Sequence, residues 1–238
     1  MPRAQSTGVR NHLGQYDDLA DHWWRPDGEF AALHWLAQAR TALIPQPVRP
    51  DAVLLDVACG GGLMAGRVPS GYRHVGVDRT ASALALAAAH GLDVVRADVG
   101  ALPFVDASAD VVVAGEILEH VTDQEGMVAE LVRVLRPGGT VVVDTIAATR
   151  WARFAFVTVA ERLPGGPPRN LHDPALFVDP QRLRELFARQ GIALTLNGLR
   201  PHPAQFAAFV VRRSGRVRML PTRSVAGVYQ GVGRKCPE

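Results

Sequence analysis

Three consecutive glycines, Gly60, Gly61 and Gly62, follow an apolar run that contains Asp56. Glycines at a strand end let the main chain approach a ligand closely and adopt positive φ angles without a Cβ penalty. A second aspartate, Asp78, closes the next apolar run roughly 20 residues later, a spacing at which a carboxylate can accept both hydroxyls of a ribose. We therefore expect a ribose-containing ligand at the glycine turn, in contact with Asp56, Gly60, Gly62 and Asp78.

The glycine spacing alone does not identify this ligand. Counted from Gly60, the dinucleotide pattern G-x-G-x-x-G places its third glycine at Ala65, a substitution that some versions of the motif permit. A third acidic residue, Asp98, closes another apolar run and could accept a hydrogen bond from an adenine amino group, with Val99 beside it. Both residues are expected to contact the ligand.

The elements that must position these residues form an alternating pattern from Val53 onward. Short valine-rich runs without polar alternation predict strands buried on both faces, and helical stretches separate them. We expect an α/β fold with a Rossmann-like, doubly wound, mostly parallel seven-stranded sheet. The predicted strands are 53–57, 74–78, 93–97, 110–114, 140–145, 192–199 and 226–232; the stretch 205–211 is ambiguous.

Helices are predicted on either side of this core. Apolar residues at helical spacing from Tyr16 to Trp24 predict an amphipathic helix that ends before Pro26, and Asp27 can cap a second helix that carries Arg40 near its end. The segment 147–190 interrupts the alternation after the fifth strand, contains a Pro/Gly turn, and ends in a helix stopped by Gly191.

Composition narrows the class of protein. The 238 residues carry a formal net charge of only +3, and no apolar run reaches the ~18 residues that cross a bilayer. The start lacks the apolar stretch of a secretory signal, and two cysteines do not make a disulfide framework. We expect a soluble cytoplasmic protein with no nucleic-acid partner. The arginine-rich stretch 210–223 is interpreted as solvated surface or, alternatively, as a contact for anionic lipid or phosphate.

In combination these motifs resemble those of class I S-adenosylmethionine-dependent methyltransferases. The resemblance rests on D-x-x-C-G-G-G at 56–62, Asp78, A-D-x-x-x-L-P-F at 97–104, E-x-x-E-H at 116–120 and L-R-P-G-G at 135–139. The stretches 22–40 and 163–180 are similar to signatures of the ubiquinone-biosynthesis 3-O-methyltransferases, with His22 in place of the usual basic residue and a short insertion in the second.

The resemblance implies S-adenosyl-L-methionine as cofactor and a hydroxyl of an aromatic or quinone-type small molecule as methyl acceptor. It places Arg40, Asp78 and Gly115 at cofactor-contact positions, and Ala58 where the family usually has glycine. We expect one methyltransferase domain over 1–238. Its parts are an N-terminal helical lid (1–45), a cofactor-binding core (51–146), an acceptor cover (147–190) and C-terminal strands (191–238).

The stretch that holds Glu116, Glu119 and His120 follows the fourth strand, whose loop opens onto the predicted cleft. A phenol with a pKa of about 10 is mostly protonated near neutrality, so His120 is the best-placed candidate base, with Glu119 beside it. The resemblance implies an alternative in which Glu116, Glu119 and His120 hold a divalent cation such as Mg²⁺, although magnesium prefers oxygen ligands. A structural role for all three residues is the third interpretation.

Aromatic residues and arginines share the segment 150–162, where Trp151 and Phe154 lie among Arg150, Arg153 and Arg162. This composition suits peripheral contact with a membrane, and relatives in the resembled family have a membrane-associating insertion at this place. A buried cover over the acceptor pocket explains it equally well. For the whole chain, N- or C-methylation, a non-catalytic cofactor-binding module and nucleotide-linked redox chemistry remain alternatives.

Overall fold

The computed structural model describes residues 10–11, 14–163, 166–212 and 214–237, which contain one mixed sheet of eight strands. Its strands are β1 (Ala52–Val57), β2 (Tyr72–Asp78), β3 (Asp93–Arg96), β4 (Ala109–Gly115), β5 (Leu135–Ile146), β6 (Thr195–Pro201), β7 (Met219–Thr222) and β8 (Val228–Arg234). Their order is β3-β2-β1-β4-β5-β8-β6-β7. Strands β1 to β5 pair in parallel, and the last three add antiparallel partners.

Strand order places the ligand site. The chain runs outward from β1 through β2 and β3, then crosses to β4 and β5 on the other side of β1. In open α/β sheets a ligand binds at such a switch point, beyond the carboxyl ends of the strands. Val57 lies level with Val77 and Ala114, so the residues that follow these three, Ala58, Asp78 and Gly115, share one edge.

Apolar residues of the central strands pack into two separate hydrophobic clusters. On β4, Val111 and Val113 pack in one cluster with Trp23, while Val112 and Ala114 pack in the other with Met127. Because successive side chains on a strand point to opposite faces, this division explains why β4 is apolar without alternation. The prediction of a doubly wound sheet covered on both faces is confirmed.

The helices are α1 (Gln15–Asp18), α2 (Ala31–Thr41), α3 (Ala81–Ala89), α4 (Gln124–Val134), α5 (Arg150–Ala152), α6 (Pro180–Arg189) and α7 (Pro203–Arg212), and α5 continues through a π-helical segment, Arg153–Val159. Capping explains two of their starts. Asp123 accepts a hydrogen bond from the Gly126 N–H at the start of α4, and Asp179 accepts one from the Arg182 N–H ahead of Pro180. The predicted helix before Gly191, whose φ is +78°, is confirmed.

The N-terminal helix prediction is wrong in detail. The chain forms α1 and then a separate 3₁₀ turn, Ala20–His22, because Leu19 leaves the helical region with φ −111° and ψ 21°. Asp27 does not cap α2, since Phe30 occupies the N-cap position and makes no side-chain cap. Residues 1–9 and 12–13 of the expected lid, and residues 164–165 of the Pro/Gly turn, lie outside the described residues.

The strand count also differs from the expected seven. Strand β7 is a short edge strand that contains Pro221 and pairs with β6, and edge strands tolerate a proline that a central strand does not. The ambiguous stretch 205–211 is helical, within α7. Among the described helices, none has the length and apolar character that crossing a bilayer requires.

Candidate functional site

A cavity of about 340 Å³ opens beyond the carboxyl ends of β1, β2 and β4. Its volume falls in the ~300–1,000 Å³ range of small-molecule sites. Ten of the residues singled out from the sequence line it: Arg40, Asp56, Ala58, Gly60, Asp78, Asp98, Val99, Gly115, Glu116 and His120. Gly62 and Glu119 are not among the lining residues.

The glycine turn borders the cavity and also packs against the indole of Trp23. Ala58 and Gly60 have left-handed backbones, with φ of +59° and +51°. A Cβ added to Gly60 would lie 2.3 Å from Cη2 of Trp23, and one added to Gly61 would lie 2.8 Å from Cγ of the same indole. Gly62 instead faces α3, where a Cβ would come within 2.9 Å of the Ala87 Cα, so its position does not support the expected ligand contact.

The Asp78 carboxylate is fixed by the main chain. Its Oδ2 accepts a hydrogen bond from the Gly60 N–H at 2.9 Å, and its Oδ1 accepts one from the Thr80 N–H at 2.8 Å. A carboxylate has about four acceptor positions, so each oxygen keeps one for a ligand. This bare turn and oriented carboxylate fit the ribose of an adenosyl cofactor.

The other two acidic residues lie on either side of Asp78. Asp56 is buried, and His74 Nε2 lies 3.3 Å from its Oδ2. Asp98 accepts a hydrogen bond from the Gly100 N–H at 2.9 Å, which holds the turn that also carries Val99. Both remain on the cavity wall, as expected from the sequence.

Arg40 reaches the cavity because Asp144 holds it there. Its Nε donates to Asp144 Oδ2 at 2.6 Å and its Nη2 donates to Oδ1 at 2.7 Å. Both side chains are buried, and the nearby Asp144 carboxylate raises the arginine pKa although burial opposes this. A Cβ on Gly115 would lie 1.9 Å from the guanidinium carbon, so only glycine fits there. Sequence reasoning missed Asp144, although a lone aspartate in the apolar strand β5 is a usable signal.

The two glutamates after β4 sit in a carboxyl-rich environment. Burial raises the pKa of Glu119 to about 7, although its Oε2 accepts a hydrogen bond from the Thr145 hydroxyl at 2.7 Å. Burial and the neighbouring Glu119 carboxylate raise the pKa of Glu116 well above its usual value. Oxygen Oε1 of each has no hydrogen-bond partner within the described part of the chain.

His120 lines the cavity as a buried imidazole. Its Nδ1 lies 2.6 Å from Asn11 Oδ1, and the edge of its ring faces Tyr16 with the ring centroids 6.4 Å apart. Burial lowers its pKa to about 3, with a smaller contribution from His172, so the ring is neutral at physiological pH. Asn11 gives no recognisable signal in the sequence, because it reaches His120 across more than a hundred residues.

The N-terminal segment, of which residues 10–11 and 14–30 are described, covers this part of the cavity with aromatic rings. Tyr16 stacks on Trp23 and Phe30, with ring centroids 5.7 and 5.8 Å apart. Trp24 stacks on His90 at 3.7 Å and donates from its indole to the Gly61 carbonyl at 2.8 Å. The segment is therefore attached to the glycine turn that it covers.

The predicted metal site does not fit this arrangement. Within the described residues, no three His, Cys, Asp or Glu side chains form a group that could hold an ion. Oxygen Oε2 of Glu119 is engaged by the Thr145 hydroxyl, and Nδ1 of His120 contacts Asn11. Magnesium requires several oxygen ligands in near-octahedral geometry. Glu116, Glu119 and His120 therefore do not make an Mg²⁺ site here.

Comparison with known proteins agrees with the geometry. A family model described as a methyltransferase domain matches residues 55–143. The ubiquinone biosynthesis O-methyltransferase of Rickettsia bellii is 30% identical over 204 residues, which cover 80% of this chain and 85% of that protein. The enzyme of the same name from Burkholderia pseudomallei is 30% identical over 203 residues, covering 81% and 88%.

A solved structure adds evidence for the fold alone. An S-adenosylmethionine-dependent methyltransferase of Thermotoga maritima, described as a possible histamine N-methyltransferase, superposes with a TM-score of 0.66 at 17% identity and covers 94% of this chain and 97% of its own. The similarity to the Rickettsia and Burkholderia enzymes extends over most of both chains. The protein therefore belongs to the ubiquinone biosynthesis O-methyltransferase family and is an S-adenosylmethionine-dependent methyltransferase.

Proposed function

We propose that this enzyme transfers a methyl group from S-adenosylmethionine to a hydroxyl of an aromatic or quinone-type small molecule. The observation that carries the proposal is a buried imidazole, His120, on the wall of the cavity that Asp78 and the glycine turn also line. The names of the Rickettsia and Burkholderia relatives support the same acceptor class. Tyr16, Trp23 and Leu33 supply an apolar wall against which an aromatic acceptor would pack.

The cofactor would lie along the strand ends. Asp78 would accept the two ribose hydroxyls, Asp98 and Val99 would contact the adenine, and the main chain at Ala58, Gly60 and Gly115 would lie against the cofactor. Arg40 uses Nε and Nη2 on Asp144, which leaves Nη1 for the cofactor carboxylate, while Asp56 would face the ammonium group. Each contact uses a group that already lines the cavity.

Bound S-adenosylmethionine supplies a methyl group on a sulfonium, which is already activated for in-line displacement. The protein aligns the acceptor oxygen with that methyl, and such alignment can supply several kcal/mol. His120 accepts the hydroxyl proton at Nε2. Although burial makes His120 a weak base, the hydroxyl becomes strongly acidic as its oxygen bonds to carbon, so the proton can leave during that step.

The acceptor proposal is tested with purified enzyme, S-adenosylmethionine and a panel of catechols, phenols, amines and activated carbon acids, with products identified by mass spectrometry. We expect methylation at oxygen and a fall in kcat of about 10²-fold or more in His120→Ala. His202→Ala, at a histidine outside the cavity, serves as the control. Methylation confined to nitrogen or carbon would reject this reaction, and cofactor binding without turnover on the whole panel would favour a regulatory module.

We also propose that the segment 150–162 contacts a membrane surface. Trp151 is 60% exposed and Phe154 is 51% exposed, although large apolar side chains are usually buried. Arginines of the same segment would face anionic head groups. Trp151→Ser with Phe154→Ser should abolish sedimentation with phosphatidylglycerol vesicles, whereas Val105→Ser, at a 77% exposed valine elsewhere, should not. Equal sedimentation of all variants would exclude this contact.

The proposed organisation is one domain. The Rickettsia and Burkholderia relatives support it, because alignments of about 200 residues span most of this chain. The N-terminal segment packs against the glycine turn and α2 packs against β5, so the expected lid contributes to the same core. A single cooperative unfolding transition by circular dichroism and by tryptophan fluorescence would support this proposal, and separate transitions would oppose it.

A further inference from the structure

Asn11 forms hydrogen bonds with both the ring and the main chain of His120. Its Oδ1 lies 2.6 Å from His120 Nδ1, and its Nδ2 donates to the His120 carbonyl oxygen at 3.0 Å. No other hydrogen bond to the His120 ring exists among the described residues. The single amide therefore meets one donor requirement and one acceptor requirement of the same residue.

This pair of contacts determines which ring nitrogen carries the proton. The carbonyl oxygen can only accept, so the amide must present its NH₂ there and its oxygen to the ring. Rotating the amide by 180° would bring two acceptors to about 3 Å, which is repulsive. Nδ1 must then donate. A neutral imidazole carries one N–H, so Nε2 holds the lone pair.

We propose that Asn11 is a positioning residue that holds His120 in its Nδ1-protonated tautomer, leaving Nε2 as the proton acceptor. The catalytic consequence rests on the proposed function of His120 as base. The tautomer itself follows from the Asn11 contacts and stands independently of catalysis. A base in the opposite tautomer would present an N–H to the acceptor hydroxyl and could not take its proton.

Asn11 is itself held by the segment between α5 and α6. Its main-chain N–H donates to the Asn170 carbonyl at 3.0 Å. Asn170 is fixed in turn, because its N–H donates to Glu161 Oε2 at 3.0 Å. Beside them, Arg10 donates to the His172 carbonyl at 2.8 Å. The main chain that carries the Asn11 amide is therefore fixed by hydrogen bonds near the His120 ring.

Neighbouring rings restrict rotation of the imidazole. His172 stacks on His120 with centroids 5.9 Å apart and planes inclined by 26°. The His172 main-chain N–H donates to the Glu161 carboxylate at 3.1 Å, and its Nδ1 lies 3.2 Å from the same oxygen. Tyr16 presses on His120 edge-on. Contacts from the N-terminal segment and from the segment between α5 and α6 together orient the His120 ring.

The test combines NMR with kinetics. Asn11 has a φ of +56°, so Asn11→Gly removes the amide without straining the backbone, whereas alanine would add strain. Asn11→Asp keeps an acceptor for Nδ1–H and tolerates the same φ, but it places a second acceptor against the His120 carbonyl, so it restores the ring contact alone. Asn197→Ala, at an exposed asparagine on β6, is the matched control. Long-range ¹H–¹⁵N correlation spectra report the tautomer of each neutral histidine, and His120→Gln identifies the relevant signal.

We expect Nδ1–H for His120 in the wild type, Asn11→Asp and Asn197→Ala, and a shift toward Nε2–H in Asn11→Gly. The kcat of Asn11→Gly should fall about tenfold or more, with partial recovery in Asn11→Asp. An Nε2–H signal in the wild type, or an unchanged tautomer in Asn11→Gly, would overturn the positioning role. A shifted tautomer with unchanged kcat would confirm the role of Asn11 and overturn the proposed base.

Discussion

Substitution of Asp78 tests the ribose contact on which cofactor binding is proposed to depend. In Asp78→Asn the side chain keeps its shape and one acceptor oxygen, but loses its charge and places an NH₂ group where the second oxygen was. Hydrogen bonds to a charged group contribute about 1.5–3 kcal/mol each. Losing one and weakening the other should cost about 2–4 kcal/mol, which is a roughly 30- to 1,000-fold rise in Kd.

The same change also affects the turn. The wild-type oxygens accept the N–H groups of Gly60 and Thr80, and the carboxamide can accept only one of them. The unliganded variant should therefore lose about 1–3 kcal/mol in free energy of unfolding. Urea unfolding without cofactor measures this loss separately from the effect on binding.

Isothermal titration calorimetry with S-adenosylmethionine measures the affinity directly, and ligand-induced stabilisation checks it. At 100 times the wild-type Kd, cofactor should stabilise the wild type by about 2.7 kcal/mol, but a variant weakened 100-fold by only about 0.4 kcal/mol. Asp93→Asn, in an exposed pair with Arg73, is the control. An affinity of Asp78→Asn within threefold of the wild type would refute the ribose assignment.

Three further substitutions probe the groups around the cavity. Asp144→Asn should lower the free energy of unfolding by about 3–5 kcal/mol in urea, because the buried Arg40 loses its counter-charge, and a loss below 1 kcal/mol would contradict the pairing. Ala58→Gly should raise the free energy of unfolding by about 0.5–1 kcal/mol, because glycine adopts the positive φ at position 58 without a Cβ penalty but loses more backbone entropy on folding. A decrease would show that the Ala58 methyl group packs favourably. For His120, the folded pKa of about 3 lies below the ordinary 6.5, so unfolding takes up a proton below pH 6.5 and stability falls as the pH falls. Between pH 7.5 and 5.5 the wild type should lose about 1.4 kcal/mol more than His120→Gln, and parallel pH profiles would contradict this burial.

Periodicity predicted the parallel core because local and tertiary preferences agree there. The run at 110–114 is apolar at every position but the first, and it lies in a strand between two others with both faces covered. The errors occur where a short segment depends on distant partners. The helix expected over Tyr16–Trp24 is interrupted at Leu19, and Trp23 packs on Gly60 and Gly61. Strand β7 forms its hydrogen bonds with the edge of β6.

The same distinction holds within the site. Spacing identified Asp78 and Asp98, because Asp78 ends β2 and Asp98 lies two residues after β3, so both are at the carboxyl edge of the parallel sheet. Gly62 and Glu119 also belong to the motifs that point to the cavity, yet Gly62 faces α3 and Glu119 binds the Thr145 hydroxyl. A motif sets the position of a residue along the chain but not the direction of its side chain.

The succession of buried strands from β1 to β5, the carboxylate at the end of β2 and the bare turn after β1 could be predicted from the sequence alone, because each depends on residue type and local spacing. Tertiary structure decided how Arg40 is held, which glutamate reaches the cavity and how His120 is oriented. Asp144 and Asn11 act over about a hundred residues of chain, and only folding brings them to their partners. Burial, which shifts the pKa values of Glu119 and His120 in opposite directions, likewise arises only when the segments close over the sheet.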